Sequence, residues 1–181
     1  MAVTGTHETS GSLAPQLVDV IHRIRTDAGR LTRAWFEQVI GGGLTDAEYV
    51  EIVAVVTMTA GVDFYARALG IAPFPLPAAV PGEPSRRRPA AARRETAWVP
   101  MIAPEEAAGS EAELYGGGEF VPNIVRALSL VPDEVRMLRR LSDAHYLPIE
   151  RIPDPTARRA LDRMQMELVA ARVSALNQCF Y

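Results

Sequence analysis

The chain has 181 residues, 48% of them hydrophobic, and a formal charge of −3. That length buries one sizeable core, or two small ones joined by a linker, and the weak negative charge excludes a nucleic-acid footprint or a membrane-surface patch spread over the whole molecule. A single cysteine, Cys179, excludes an internal disulfide framework and a cysteine-rich zinc site.

All 19 basic residues are arginine, which with abundant Ala, Pro and Gly reads as the coding bias of a GC-rich genome before it reads as function. Residues 1–12 are small and polar and predict a frayed tail. They carry neither a basic nor an apolar leader region, and no stretch approaches ~18 uninterrupted apolar residues, so a cytoplasmic protein with no membrane association is expected.

From Leu13 the apolar positions Leu17, Val18, Ile21 and Ile24 recur at the three-and-four spacing of an amphipathic helix, which Asp27-Ala28-Gly29 interrupts. A second helix is expected over 31–40, ended by Gly41-Gly42-Gly43. Thr45 followed by Glu48 forms a capping box that opens a long helix to about Leu69. Its run Val50 to Val56 is rich in β-branched residues and favours a strand on propensity, but length and the capping box decide for helix. Apolar nearly all round, this helix is expected at the centre of the core, with Asp63 and Arg67 pairing where a face reaches water.

Residues 72–97 change character. Pro73, Pro75, Pro77, Pro81, Pro84 and Pro89 prevent regular structure and predict an extended linker or wrapping arm. The arm carries Arg86-Arg87-Arg88 and Arg93-Arg94, which could meet phosphate. No aromatics are interleaved, so a solvated linker or subunit-contact arm is favoured over nucleic-acid binding.

Beyond Trp98-Val99-Pro100, helices are expected from Pro104 to the Gly116-Gly117-Gly118 break, from Pro122 to Leu130, and from Pro132 to about His145. A last helix is expected from around Pro155, with Leu161, Met164, Leu168, Ala171 and Ala175 on one face. No segment reads as a strand, and the expected class is all-α. His7, His22 and His145 have no metal-ligand spacing and are assigned structural or surface roles. His145 is the one to watch, as a helix-dipole partner first and a pocket residue second. Trp35 and Trp98 are expected to be packing anchors, and no cofactor or metal is implied.

The segment from Met166 to Tyr181, with Glu167 and then Ser174-Ala175-Leu176-Asn177-Gln178-Cys179, resembles the core of the alkylhydroperoxidase D / carboxymuconolactone decarboxylase superfamily. There a helix bearing a Glu leads into Asn-x-Cys-x-x-Cys-x-x-x-His. The upstream run Val121 to Pro132 is similar to the family's approach to that core. The stretch from Gly43 through Ile71 resembles the part of the family's fold on the C-terminal side of the motif. The order is therefore inverted, which implies parts of two tandem units ahead of a rearranged single unit: in the tandem, a segment at 13–71 ends one alkylhydroperoxidase D-like bundle, the linker follows at 72–97, and a second unit begins at 98–181.

The resemblance implies a hydroperoxide reductase. In the family the second Cys of the motif attacks the peroxide as a thiolate, the first resolves the resulting sulfenic acid as a disulfide, and Glu and His relay protons. By position, Glu167 is then the proton-relay carboxylate and Cys179 the resolving thiol, with the attacking residue and the His beyond Tyr181. A related group of selenoproteins places selenocysteine at the attacking position, encoded by UGA. A stop after Tyr181 is what a misread UGA leaves, so the chain ending there is expected to be inactive. Implied partners are a hydroperoxide substrate, an electron-donor protein or small thiol, and further copies of the chain in a homo-oligomer.

Geometry constrains the relay. A straight helix from Glu167 to Cys179 would separate them by ~18 Å, so the chain has to turn near Asn177-Gln178 for the two to share a proton. On its own residues, Glu167 reads as a solvated helix position pairing with Arg163 or Arg172. Two further readings are a carboxymuconolactone decarboxylase-like lyase, a branch that does not use the Cys pair, and a non-catalytic helical oligomerisation module.

Overall fold

Helix-opening and helix-breaking signals govern the architecture of the computed structural model, which describes residues 11–78, 80–116 and 121–179. The expected tail falls almost entirely outside the described residues, as do Gly117 and Gly118 of the expected break. Six α-helices are present among those residues, and the all-α class holds: α1 (Pro15–Asp27), α2 (Arg33–Gly41), α3 (Asp46–Ala68), α4 (Asn123–Arg126), α5 (Pro132–His145) and α6 (Arg163–Leu176). No strand occurs among them; the one β contact is an isolated antiparallel bridge between Arg93 and Met101.

Proline at the first turn opens α1 and α5, where its missing N–H costs nothing. Thr32 caps α2 through the Trp35 N–H. At α3 the capping box forms in full: Thr45 Oγ1 accepts from the Glu48 N–H at 3.2 Å, and Glu48 accepts from the Thr45 N–H at 2.8 Å.

The core joins both halves of the sequence. Val20 and Ile24 of α1, Phe36 of α2 and Val50 and Ala54 of α3 share one apolar cluster with Val99, Ile102, Leu114, Leu130 and Val135. Its aromatic centre is built by Phe36, which meets Tyr49 edge-on at 4.9 Å and Trp98 at 5.8 Å, so Trp98 does anchor packing. Burial of the Tyr49 ring pushes its phenol up to about 12. A second cluster of Leu147, Ala157 and Met166 holds the start of α6.

Several expected elements differ. The long helix α3 is not central on all sides: Tyr49, Val50, Ala54 and Ala66 are buried, but Val55, Phe64 and Tyr65 are exposed. It packs on α1 and α5 and meets Phe36 of α2 through Tyr49. By length and composition alone α3 could cross a bilayer, with a mean hydropathy of 1.3. Asp63 and Arg67 form no ion pair; the Arg67 guanidinium lies instead 5.8 Å from the Phe64 ring centroid.

The helix expected from Pro104 is reduced to single 3-10 turns at Pro104–Glu106 and Gly109–Glu111, and the one expected from Pro122 is only the four residues of α4. Gly109 has a φ of +59°, a left-handed turn that breaks the helical path. Ser129 closes off α4 by folding its hydroxyl onto the Arg126 carbonyl at 2.6 Å. The last helix begins at Arg163 and not near Pro155, because Asp162 and Gln165 form a second capping box.

The proline-rich segment wraps onto the protein over its arginine-bearing half. Arg88 makes a two-pronged pair with Asp46 at 2.8 Å, and Arg87 pairs with Glu111. Arg93 meets Glu106 at 2.8 Å, and Arg126 meets Glu95 at 3.0 Å. The Arg88 hydrogen bonds hold the Asp46 carboxyl below its ordinary range, although burial opposes them. Three of the arm's arginines are thus engaged by carboxylates, which removes most of the cationic surface that phosphate would need.

Candidate functional site

Glu167 lies in the second turn of α6, with its side chain about half exposed at 53%. Two groups converge on Oε1. The Tyr146 hydroxyl donates to it at 2.5 Å, and Arg163, one helical turn earlier, donates through a guanidinium nitrogen. The same nitrogen reaches the Tyr146 oxygen at 2.6 Å, and the other donates to the Ile152 carbonyl at 2.8 Å. The Arg163 side chain is only 14% exposed, so this guanidinium is a fixed part of the wall and not a mobile surface charge.

The electrostatic result is a carboxylate held ionised. The Tyr146 hydrogen bond, first, and the charge and hydrogen bond of Arg163 hold the Glu167 carboxyl below its ordinary value, although burial opposes them. Tyr146 moves the other way: burial first, and then its bond to the Glu167 anion, raises the phenol. Both shifts favour one protonation state, Glu167 as the anion and Tyr146 as the neutral donor.

Cys179 sits at the other end of α6. The helix ends at Leu176, Asn177 is its cap residue, and Gln178 takes the left-handed conformation with a φ of +55°. The Gln178 N–H returns to the Ala175 carbonyl at 3.2 Å and the Cys179 N–H to the Ser174 carbonyl at 3.0 Å, the paired bonds of a Schellman turn. The expected break at Asn177-Gln178 is therefore present, and it leaves the Cys179 thiol exposed.

The turn does not bring the two predicted site residues together. Unbroken helix runs from Glu167 to Leu176, roughly 13 Å of axis, and the partners of Glu167 are Tyr146 and Arg163. Pairing with Arg163 was legible from the i, i+4 spacing. Tyr146 was not, because it stands 21 residues earlier at the irregular end of α5 and no local pattern links it to α6.

Two clefts flank α6. One of about 320 Å³ is lined by His145, Tyr146, Arg159, Leu161, Met166 and Val169 near its start. His145 ends α5 beside this cleft and meets the Tyr65 ring edge-on at 4.8 Å. The larger, about 580 Å³, lies between the end of α1, the middle of α3 and the Leu176-Asn177-Gln178 turn. Backbones are close there: a Cβ added at Gly29 would stand 3.3 Å from the Asn177 carbonyl oxygen. No cluster of three or more potential metal ligands occurs among the described residues. No family model, curated protein or solved structure matches the chain.

Proposed function

We propose that the protein is a thiol- or selenol-dependent hydroperoxide reductase, with Cys179 as the resolving thiol and Glu167 as the proton-relay carboxylate. The observation that supports it is on α6: a helix carrying an ionised glutamate ends in a Schellman turn that presents the chain's single thiol to solvent. The attacking thiolate or selenolate belongs to the next redox position of the motif after Cys179. It takes the terminal oxygen of the hydroperoxide, releasing the alcohol and becoming a sulfenic or selenenic acid. The Cys179 thiol then displaces water to form the disulfide or selenenylsulfide, and an external dithiol returns both groups to the reduced state. Glu167 serves as the base that accepts the Cys179 proton, which requires the segment after Gln178 to bring the thiol back along α6.

The test is peroxide consumption by a chain extended in frame past Tyr181 through the second motif position and the His, supplied with dithiol. Turnover that is lost in Cys179→Ser supports the reading. Absence of turnover in the extended protein, or turnover unaffected by that substitution, refutes it.

A non-catalytic oligomerisation module has one observation in its favour. Met164, Leu168, Val169, Val173 and Leu176 of α6 are all more than half exposed, a larger apolar face than a lone helix ordinarily shows to water. Sedimentation of the chain at rising concentration checks it. A monomer at every concentration removes that reading.

A further inference from the structure

The 580 Å³ cleft between α1, α3 and the end of α6 has a composition that selects for a particular kind of ligand. Its walls are apolar where α3 contributes Val56, Ala60 and Phe64, and where Ile24 and Leu176 close the sides. Its charged groups all come from the end of α1 and the turn after it: Arg25, Asp27 and Arg30. Asp27 is buried and takes Arg30 as its partner at 2.6 Å. Arg25 has no such partner. Its half-buried guanidinium makes no ion pair among the described residues and lies 4.5 Å from the Phe64 ring centroid.

A guanidinium stacked on an aromatic ring keeps its in-plane N–H donors free, so it presents a flat fork to whatever enters beside the ring. The volume lies within the roughly 300–1,000 Å³ of small-molecule sites, which pair apolar walls with a few fixed polar groups. Two cations against one carboxylate leave the cleft one positive charge in excess. We infer that this cleft binds an anionic amphiphile, a carboxylate carried on an apolar chain, with the carboxylate on Arg25 and the chain along Val56, Ala60 and Phe64. The Asn177-Gln178 turn forms the adjoining wall, so the occupant lies one residue from Cys179 along the chain. That the natural occupant is a fatty-acid-type hydroperoxide rests on the peroxidase proposal; that the cleft takes the carboxylate amphiphile does not.

Two substitutions separate charge from space. Arg25→Gln removes the cation and keeps a polar side chain. Gly61→Leu fills the cleft from α3: a Cβ at Gly61 meets no atom within 4 Å, and leucine is a better helix former than glycine by roughly 1 kcal/mol, so this variant folds at least as well as the parent. The experiment is calorimetric titration of the 181-residue chain with sodium decanoate below its micelle concentration and with 1-decanol as the uncharged control. Decanoate is expected to bind saturably and at least about tenfold more tightly than decanol, the margin of a charge-assisted bond. Arg25→Gln brings decanoate down to the decanol value, and Gly61→Leu abolishes both with the melting temperature unchanged or raised. Decanoate binding that survives Arg25→Gln or Gly61→Leu, or no saturable binding in the parent, overturns the inference. Arg25-dependent binding without peroxide turnover in the extended protein keeps the site and removes the peroxidase proposal; turnover of a fatty-acid hydroperoxide that ignores Arg25 keeps the peroxidase proposal and overturns the cleft as the place where that substrate binds.

Discussion

Ser129→Ala tests how the segment after the proline-rich arm is held to the core. Ser129 is fully buried, and its Oγ accepts from the Ile102 N–H at 2.8 Å while donating to the Arg126 carbonyl at 2.6 Å. The Tyr115 hydroxyl donates to the Ile102 carbonyl at 2.8 Å, so both backbone groups of this buried residue are satisfied by side chains. Removing the hydroxyl has unequal consequences at its two ends. The Arg126 carbonyl keeps the Ser129 N–H at 2.9 Å. The Ile102 N–H is left in the core with no acceptor, which costs about 1–3 kcal/mol. At ~2 kcal/mol, and about 2–4 °C per kcal/mol for a chain of this size, the melting temperature falls by roughly 4–8 °C. Urea unfolding tracked by far-ultraviolet circular dichroism should show a lower midpoint with an unchanged slope. Because Tyr115→Phe acts on the same residue, the double variant should be non-additive. A loss below about 0.5 kcal/mol, or strict additivity with Tyr115→Phe, refutes the clamp.

Thr45→Ala removes the hydroxyl that satisfies the Glu48 N–H at the start of α3 and should destabilise the protein by about 1 kcal/mol in urea unfolding; an unchanged midpoint would show that the cap is redundant. Tyr146→Phe should raise the Glu167 carboxyl toward its ordinary value, read by ¹³C NMR titration of the side chain. The folded-state value is the depressed one, so Glu167 contributes stability above the unfolded carboxylate range and loses it as pH falls through the folded value. In the variant that loss moves to higher pH, and a titration curve that does not move would refute the hydrogen bond.

The helical class was legible because its signals are local. The Thr45–Glu48 box set α3 against the strand propensity of Val50 to Val56, and Pro132 opened its helix where the sequence placed it. The Asp162–Gln165 box holds the same kind of local signal for α6, and it sets the helix start at Arg163 where apolar spacing alone pointed to Pro155. What local pattern does not contain is tertiary partnership. Nothing near Arg88 indicates that Asp46, 42 residues earlier, will take it, and nothing near Glu167 indicates Tyr146. The four-residue length of α4 is likewise set by the Ser129 hydroxyl and the demand of the buried Ile102, not by the propensities of Asn123 to Leu130.

The two ends of α6 are held differently, and this decides what can move in any proton relay. Its start is fixed by the Asp162 cap, the buried Met166, the Arg163 bond to the Ile152 carbonyl and the Tyr146 bond to Glu167. Beyond Glu167 it exposes Leu168, Val169, Val173 and Leu176, and its end approaches the rest of the protein at Gly29. Few buried contacts mean a low cost of local opening, so the part of α6 beyond Glu167 is expected to open before its start. A thiol that reaches Glu167 therefore has to unwind the last turns of α6 as well as the Schellman turn, because the three residues after Leu176 span at most ~10 Å against roughly 13 Å of helix axis. The two backbone bonds from Gln178 and Cys179, each worth about 0.5–1.5 kcal/mol net, are the first to be lost, followed by the helix bonds of the exposed turns before them, whereas shifting Glu167 would break a charge-assisted network anchored in the second core cluster.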